Sequence, residues 1–197
     1  MGPELLDENQ IYFDQIRQSA HNLHSLVTES LEYVKIDQNQ SEKNWVDLNL
    51  LMEEIQRDYQ PEYPDARIES TALPHVFGQK SLFSKLLGNL IENGLKYNQQ
   101  EHKLIQIQHT ILPESLEITI SDNGIGIEEA YHDRIFEMYQ RLHPATRYQG
   151  SGIGLAQCKK IVASLGGSIH LASNPGKGST FCIKLPIAIT RTSESLV

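Results

Sequence analysis

Cysteines, basic residues and long apolar runs are all scarce in this 197-residue chain, and each shortage closes off a class of protein. The two cysteines, Cys158 and Cys182, sit in apolar periodic segments, which argues against a disulfide scaffold or thiolate metal site and for a reduced, cytoplasmic setting. No apolar run approaches the ~18–20 residues of a membrane span, and the first residues lack a basic-then-apolar signal pattern. Lys and Arg number 17 against 25 Asp and Glu, so the net charge of −8 withholds the basic face that nucleic acid or an anionic membrane demands. Repeats and low-complexity tracts are missing too. What remains, at 39% hydrophobic and 21% charged, is an ordinary folded composition for one large domain, or one domain with a helical appendage.

The charge is uneven. Residues 1–44 carry eight acids and three bases, a net −5, leaving −3 for everything after them. From Leu5 to Ile36 there is no Gly or Pro, and Ile16, Ala20, Leu23, Val27, Leu31 and Val34 keep one helical face apolar, close to a heptad seam. Such a helix is ~45 Å long and calls for a helical partner from its own chain or a second copy. Residues 37–44 read as a polar linker. A helix is expected over Leu48–Tyr59 with Asp47 or Asn49 as N-cap, and a strand over Ala66–Ser70. Another helix follows over Gln79–Tyr97, then a hairpin of Leu104–Thr110 and Leu116–Ser121. After a Gly-punctuated stretch, a helix opens at Gly150–Gly154 and ends at Gly166-Gly167, followed by strands Ser168–Ser173 and Thr180–Leu185. This order predicts an α+β fold, a two-layer sandwich with a mixed sheet and helices on one face, plus the long N-terminal helix. The divisions expected are 1–44, helix and linker; 45–188, the main domain; and 189–197, a frayed tail.

Four segments carry chemistry. Asn89, Asn93, Lys96 and Tyr97 share one helical flank opposite the leucines. Ser121-Asp122-Asn123-Gly124-Ile125-Gly126-Ile127 follows a strand and brings a carboxylate to a turn where glycines allow close backbone approach. Gly150-Ser151-Gly152-Ile153-Gly154-Leu155 opens a helix whose free amides suit an anion. It is neither a dinucleotide fingerprint, lacking the βαβ setting, nor a Walker A loop, lacking Gly-Lys-Ser/Thr. Gly176-Lys177-Gly178-Ser179-Thr180-Phe181 begins a strand. Each has a bland counterpart: a solvated helix face, an Asx turn, a flexible helix entry, a hairpin turn.

Together and in order, these segments resemble the N box and glycine boxes of the ATP-binding domain of sensor histidine kinases, in the superfamily of gyrase, the HSP90 chaperones and the MutL repair proteins. The resemblance covers Val46–Pro186, and Arg134–His143 is similar to the F box of phytochrome-like kinases. It implies the Bergerat-type fold, with ATP and Mg²⁺ as cofactors. Asp122 would bind the adenine amino group, Asn93 would ligate Mg²⁺, Lys96 would offset phosphate charge and Tyr97 would wall the base. Gly150, Ser151, Gly152, Ile153, Gly154 and Leu155 would line the phosphates, and Gly124, Gly126, Ile127 and Thr180 would complete the pocket with Asn89. Residues 128–149 would form a lid anchored by Phe136 and Tyr139, with Arg141 or Arg147 reaching the triphosphate. Asn93, Lys96 and Arg141 are the catalytic set so implied.

The hydrolysing relatives carry a glutamate where this chain has Asn89, and a carboxamide cannot act as general base, so slow hydrolysis is implied. Glu92 lies about 100° from Asn93 on the helix and receives no such role. Gly94 stands where Ala is usual, at a helical cost of ~1 kcal/mol, and Gln79 where Asp is frequent.

Residues 19–34 resemble the second helix of the family's dimerisation and phosphotransfer hairpin. No phosphoacceptor is identified: His21 and His24 lack the acidic-x-x-x-Pro context, and His132-Asp133 lies in the lid. Met1-Gly2-Pro3 reads as added residues on a piece of a longer chain. The function implied is Mg-ATP binding and, in the parent, γ-phosphoryl transfer to a histidine and on to a response-regulator receiver domain. A homodimer through the N-terminal helix, no nucleic-acid partner, and a cytoplasmic domain in a parent of unknown membrane attachment complete the expectation. The alternatives are a non-catalytic nucleotide-sensing or dimerisation scaffold, and an ATPase.

Overall fold

A computed structural model describes residues 3–36, 42–142, 148 and 150–191. The chain opens with α1 (Pro3–Lys35), then β1 (Asn44–Asp47), α2 (Leu48–Tyr59), β2 (Arg67–Ser70), β3 (His75–Gly78) and α3 (Lys80–Lys96). β4 (Leu104–Ile111) and β5 (Ser115–Asp122) form the expected hairpin, followed by α4 (Gly154–Ser164), β6 (Ser168–Ser173), β7 (Ser179–Pro186) and β8 (Thr190–Arg191). Among the described residues no helix is long and apolar enough to cross a membrane.

The main sheet runs β2-β4-β5-β7-β6, with β2 parallel to β4 and every other pair antiparallel. Period-two patterning decides its two faces. Ile105 and Ile107, Leu116, Ile118 and Ile120, and Phe181, Ile183 and Leu185 all turn to one side and are buried. The alternate positions, such as Gln106, Glu117, Thr119 and Lys184, remain at least partly accessible. Onto the apolar face pack Leu51, Met52 and Ile55 of α2, Leu86, Leu87, Leu90 and Ile91 of α3, and Cys158, Ile161 and Val162 of α4. The result is the two-layer sandwich with helices on one face.

A second sheet, β1-β3-β8, was not expected. Its strands are two to four residues long, too short for alternation to register in the sequence. Thr190 and Arg191, expected in the frayed tail, pair antiparallel with Val76 and His75; residues 192–197 lie outside the described residues.

This small sheet is joined to the helical layer by side chains that imitate backbone. Asp47 caps α2, its Oδ1 accepting from Asn49 N at 2.8 Å and Leu50 N at 3.5 Å. Asn49 Nδ2 donates to the Leu73 carbonyl at 2.8 Å while its Oδ1 accepts from Leu73 N at 2.7 Å, a two-way bond that fixes the 71–74 connection. Asn49→Ala strands both backbone groups of Leu73, whose side chain is buried. Urea denaturation is expected to register a loss of about 1–3 kcal/mol.

Candidate nucleotide site

α3 delivers its polar flank as its spacing requires. Asn89, Asn93, Lys96 and Tyr97 all line one cavity of about 360 Å³ at the end of the helical layer. The carbonyl of Tyr97, just past the helix end, accepts from Ile125 N at 3.0 Å, drawing the glycine segment after β5 against α3. Asn123 pins the same turn: its Oδ1 accepts from Leu104 N and Asn98 Nδ2, and its Nδ2 donates to the His102 carbonyl.

At the inner wall stands Asp122. Its Oδ1 accepts from Gly124 N at 2.8 Å and from Ser179 N at 3.3 Å, and the carboxylate also borders the cavity. Burial pushes its carboxyl up from the ordinary 3.8, and the two amide donors offset only part of that. Backbone packs on backbone to build this arrangement. A β-carbon on Gly178 would stand 1.9 Å from the Asp122 carbonyl oxygen, and one on Gly126 would stand 2.0 Å from the Asn174 carbonyl oxygen. Both glycines also hold positive φ, at 80° and 69°, so no other residue fits there without moving the strand ends. Ser173 Oγ accepts from Ile127 N and donates to the Gly178 carbonyl, each at 2.8 Å, closing the first glycine box onto the third.

Gly94 is not the simple helix liability expected. A β-carbon there would meet Ile105 Cδ1 at 2.6 Å and Asp122 Cβ at 3.0 Å, so the close approach of α3 to the sheet depends on its absence.

Beyond Asp122, cations and carboxylates share the cavity wall. Lys96 and Arg141 border the cavity, and burial draws the Lys96 ammonium below its ordinary pKa while Glu92 partly restores it. Gly150, Ser151, Gly152, Gly154 and Leu155 line the cavity where α4 begins. Ile153 N donates to Ser151 Oγ at 3.1 Å. Asn89 Nδ2 donates to the Gly154 carbonyl at 3.2 Å and to Gln157 Oε1 at 3.3 Å, so this carboxamide braces α3 against α4. A flat base with an exocyclic donor suits the Asp122 end, and a polyanion suits the other.

Not every expected residue reaches the cavity. Ile153 is buried behind it, and Gly124 lies against the Tyr97 carbonyl. Thr180 turns to the other face of the sheet, its Oγ1 2.9 Å from Ser121 Oγ; its neighbours Ser179 and Phe181 line the cavity instead. Phe136 packs edge-on to Phe181 with ring centroids 6.4 Å apart, while Ile135 borders the cavity. Tyr139 meets α1 instead, its hydroxyl 3.2 Å from Ser30 Oγ and its backbone at φ 63°. Arg147 lies outside the described residues.

Sequence reasoning missed Ser179 and Phe181, which strict alternation along β7 would have found. It also missed Lys85 and Gln157, one turn of helix from recognised positions, and Glu92, which borders the cavity despite its angle. Tyr148 escaped notice as well; it meets Tyr97 with ring centroids 4.8 Å apart, and its carbonyl accepts from Arg141. Glu29 and Glu32 of α1 line the cavity too, and no local signal announced them.

Two substitutions separate scaffold from chemistry. Gly178→Ala is expected to lower the melting temperature by several degrees, because strand β7 must retreat from Asp122. Asp122→Asn keeps an acceptor for both amides and removes a charge held in a desolvated site. With the folded pKa above 3.8, the wild type loses stability as pH rises through that folded value, and the variant does not. Melting curves from pH 4 to 7 are expected to show the variant gaining on the wild type.

A family profile described as "Histidine kinase-, DNA gyrase B-, and HSP90-like ATPase" matches residues 78–189, more than half of the chain. The chain is 33% identical to phytochrome-like protein Cph1 of Synechocystis over 187 residues, 93% of this chain and 25% of that protein. It is 29% identical to the sensor histidine kinase AruS of Pseudomonas aeruginosa, over 89% of this chain and 19% of that one. The chain thus spans a quarter or less of the length of these two relatives. Among solved structures, the mycobacterial sensor histidine kinase MprB superposes with a TM-score of 0.65 at 25% identity, covering 77% of this chain and 99% of that one. Full-length ShkA, solved in complex with AMPPNP, gives a TM-score of 0.73 at 21% identity over 94% of this chain and 40% of that one, a likeness of fold. With most of the cavity, apart from Glu29 and Glu32 of α1, built from the segments that the profile spans, the chain belongs to the family of histidine kinase-, DNA gyrase B- and HSP90-like ATPases, as an ATP-binding domain of the histidine-kinase type.

Proposed function

We propose that this chain binds Mg-ATP in the cavity between α3, α4 and the glycine segments and, within a longer protein, donates the γ-phosphoryl to a histidine outside this sequence. The observation that carries the reading is Asp122: one carboxylate oxygen is taken by two backbone amides, so the group is fixed in direction while it borders a cavity whose far end holds Lys96 and Arg141. Adenine offers an amino donor of the matching kind, with Tyr97 as a wall. Gly150, Gly152 and Gly154 keep side chains away from the phosphates near the start of α4, where the helix dipole favours negative charge.

Asn93 fits a hard divalent cation. Its carboxamide supplies a neutral oxygen at the cavity wall, and among the described residues no cluster of three His, Cys, Asp or Glu is assembled to hold a metal without the substrate's own oxygens. Mg²⁺ held there would neutralise charge building on the phosphates. Lys96 would share that work, and Arg141 would steady the terminal phosphate. Asn89, committed to Gly154 and Gln157, offers no base to water, which supports a domain that keeps the γ-phosphoryl for an external acceptor. Dimerisation through α1 is part of the same proposal. Ile16, Leu23, Val27, Leu31 and Val34 are each 52–65% exposed, a seam that another helix would bury. A receiver domain as final acceptor, and a cytoplasmic position where ATP is abundant, complete it. On this reading the nucleotide domain runs from β1 to β8, taking in Asn44 and Thr190–Arg191 beyond the expected 45–188, and the residues before β1 are the dimerisation helix with its linker.

Calorimetric titration of the intact chain with Mg-ATP is expected to give one site. Asp122→Asn should weaken it by roughly 100-fold, since a donor would then face a donor. A separately supplied helical hairpin carrying an acceptor histidine should become labelled from ATP. Binding without any labelling would point to a nucleotide-sensing scaffold, and no binding at all would remove the reading.

A further inference from the structure

One short stretch of α1, from Glu29 to Tyr33, holds four different parts of the nucleotide domain. Glu29 accepts a hydrogen bond from Ser151 Oγ through its side chain, and its backbone carbonyl accepts from Gln157 Nε2 at 2.9 Å. Ser30 meets the Tyr139 hydroxyl. Glu32 pairs with Lys85 on α3. The Tyr33 carbonyl accepts from Lys160 at 2.8 Å, and the same ammonium sits 4.3 Å above the Tyr33 ring. The apolar seam of α1 takes little part, so this docking is polar and specific.

Its chemistry duplicates that of a phosphate. Glu29 brings a carboxylate to the glycine segment that opens α4, the end of a helix where an anion is favoured. Glu32 occupies one cation of the same wall. Both carboxylates line the cavity beside Glu92, so three acids share the end that also holds Lys96 and Arg141. A polyphosphate entering there meets like charges at short range and finds Ser151 and Lys85 already engaged. The Asp122 carboxylate, by contrast, is held by Gly124 and Ser179, neither of them on α1.

Resting on the nucleotide reading of the cavity, we propose that Glu29 and Glu32 are specificity-determining residues: docked α1 and the nucleotide's phosphates exclude each other, and a triphosphate must displace the 29–33 stretch to bind. Adenosine, which has no phosphates, leaves α1 where it is. Because coupling is reciprocal, occupation by a triphosphate releases α1, and release of α1 tightens the triphosphate by the same factor. The site thus reports to the helix that carries the dimer seam.

The test compares the full chain with the Glu29→Gln, Glu32→Gln double variant, each titrated calorimetrically with Mg-AMPPNP and with adenosine. The variant is expected to bind Mg-AMPPNP about tenfold more tightly, with adenosine changed less than about twofold. Spin labels introduced at exposed Asn22 and His170 should move apart when Mg-AMPPNP is added to an otherwise unaltered chain, and stay put with adenosine. An unchanged Mg-AMPPNP affinity, equal tightening of both ligands, or a label distance indifferent to Mg-AMPPNP would overturn the proposal. A weaker Mg-AMPPNP complex in the variant would also overturn it, by making the carboxylates cation ligands. If neither protein binds either ligand, the nucleotide reading itself falls, which these affinity arms distinguish from failure of the exclusion alone.

Discussion

The site depends on one immobilised carboxylate. Asp122 ends β5, and its Oδ1 is held by the amides of Gly124 and Ser179, residues from opposite sides of the sheet's end. That geometry exists only because three chain segments come closer than side chains permit: α3 at Gly94, the turn at Gly126 and the start of β7 at Gly178. Burial makes the charge costly, and the two amides do not fully offset it. Such a group is poised for a ligand donor. The fold supplies direction through rigid elements, and on the proposed reading a ligand donor completes the hydrogen bonding.

How much of this was legible follows from the range of each interaction. The amphipathic period of α3 already put Asn89, Asn93, Lys96 and Tyr97 on one flank. The glycine boxes were legible because positive φ and backbone contact leave few residues eligible. The β4–β5 hairpin and β7 declared themselves by alternation, yet Thr180 was assigned to the cavity when the same alternation turns it toward Ser121. β1, β3 and β8 left no trace, since two to four residues cannot display a period. Their pairing is fixed instead by long-range contacts such as the Asn49–Leu73 exchange. The docking of α1 was invisible for a related reason. It rests on scattered polar contacts 53 to 128 residues away in sequence, while the pattern that stood out was the apolar seam, which stays exposed.

The acidity of the first 44 residues looked like a property of an appendage, separate from a nearly neutral domain with cations ready for phosphate. In the folded chain Glu29 and Glu32 enter the cavity wall, so part of that charge belongs to the site. Asn89 changes meaning in a similar way. Its carboxamide, read first as a missing general base, is also the tie between α3 and the opening of α4. Both cases show residues whose structural and chemical roles are joined: what orders the wall also decides what can react or bind there.

On the proposed reading Asp122 selects the ligand by demanding a hydrogen-bond donor. Guanine carries a carbonyl oxygen where adenine carries its amino group, so the two triphosphates differ at the atom in question while sharing all phosphate interactions. Calorimetric titration of the intact chain with Mg-ATP and Mg-GTP under one set of conditions therefore tests the base contact with the phosphate contacts held constant. Mg-GTP is expected to bind roughly 100-fold more weakly than Mg-ATP, the penalty for setting an acceptor against a half-buried carboxylate. Equal affinity for the two would contradict it.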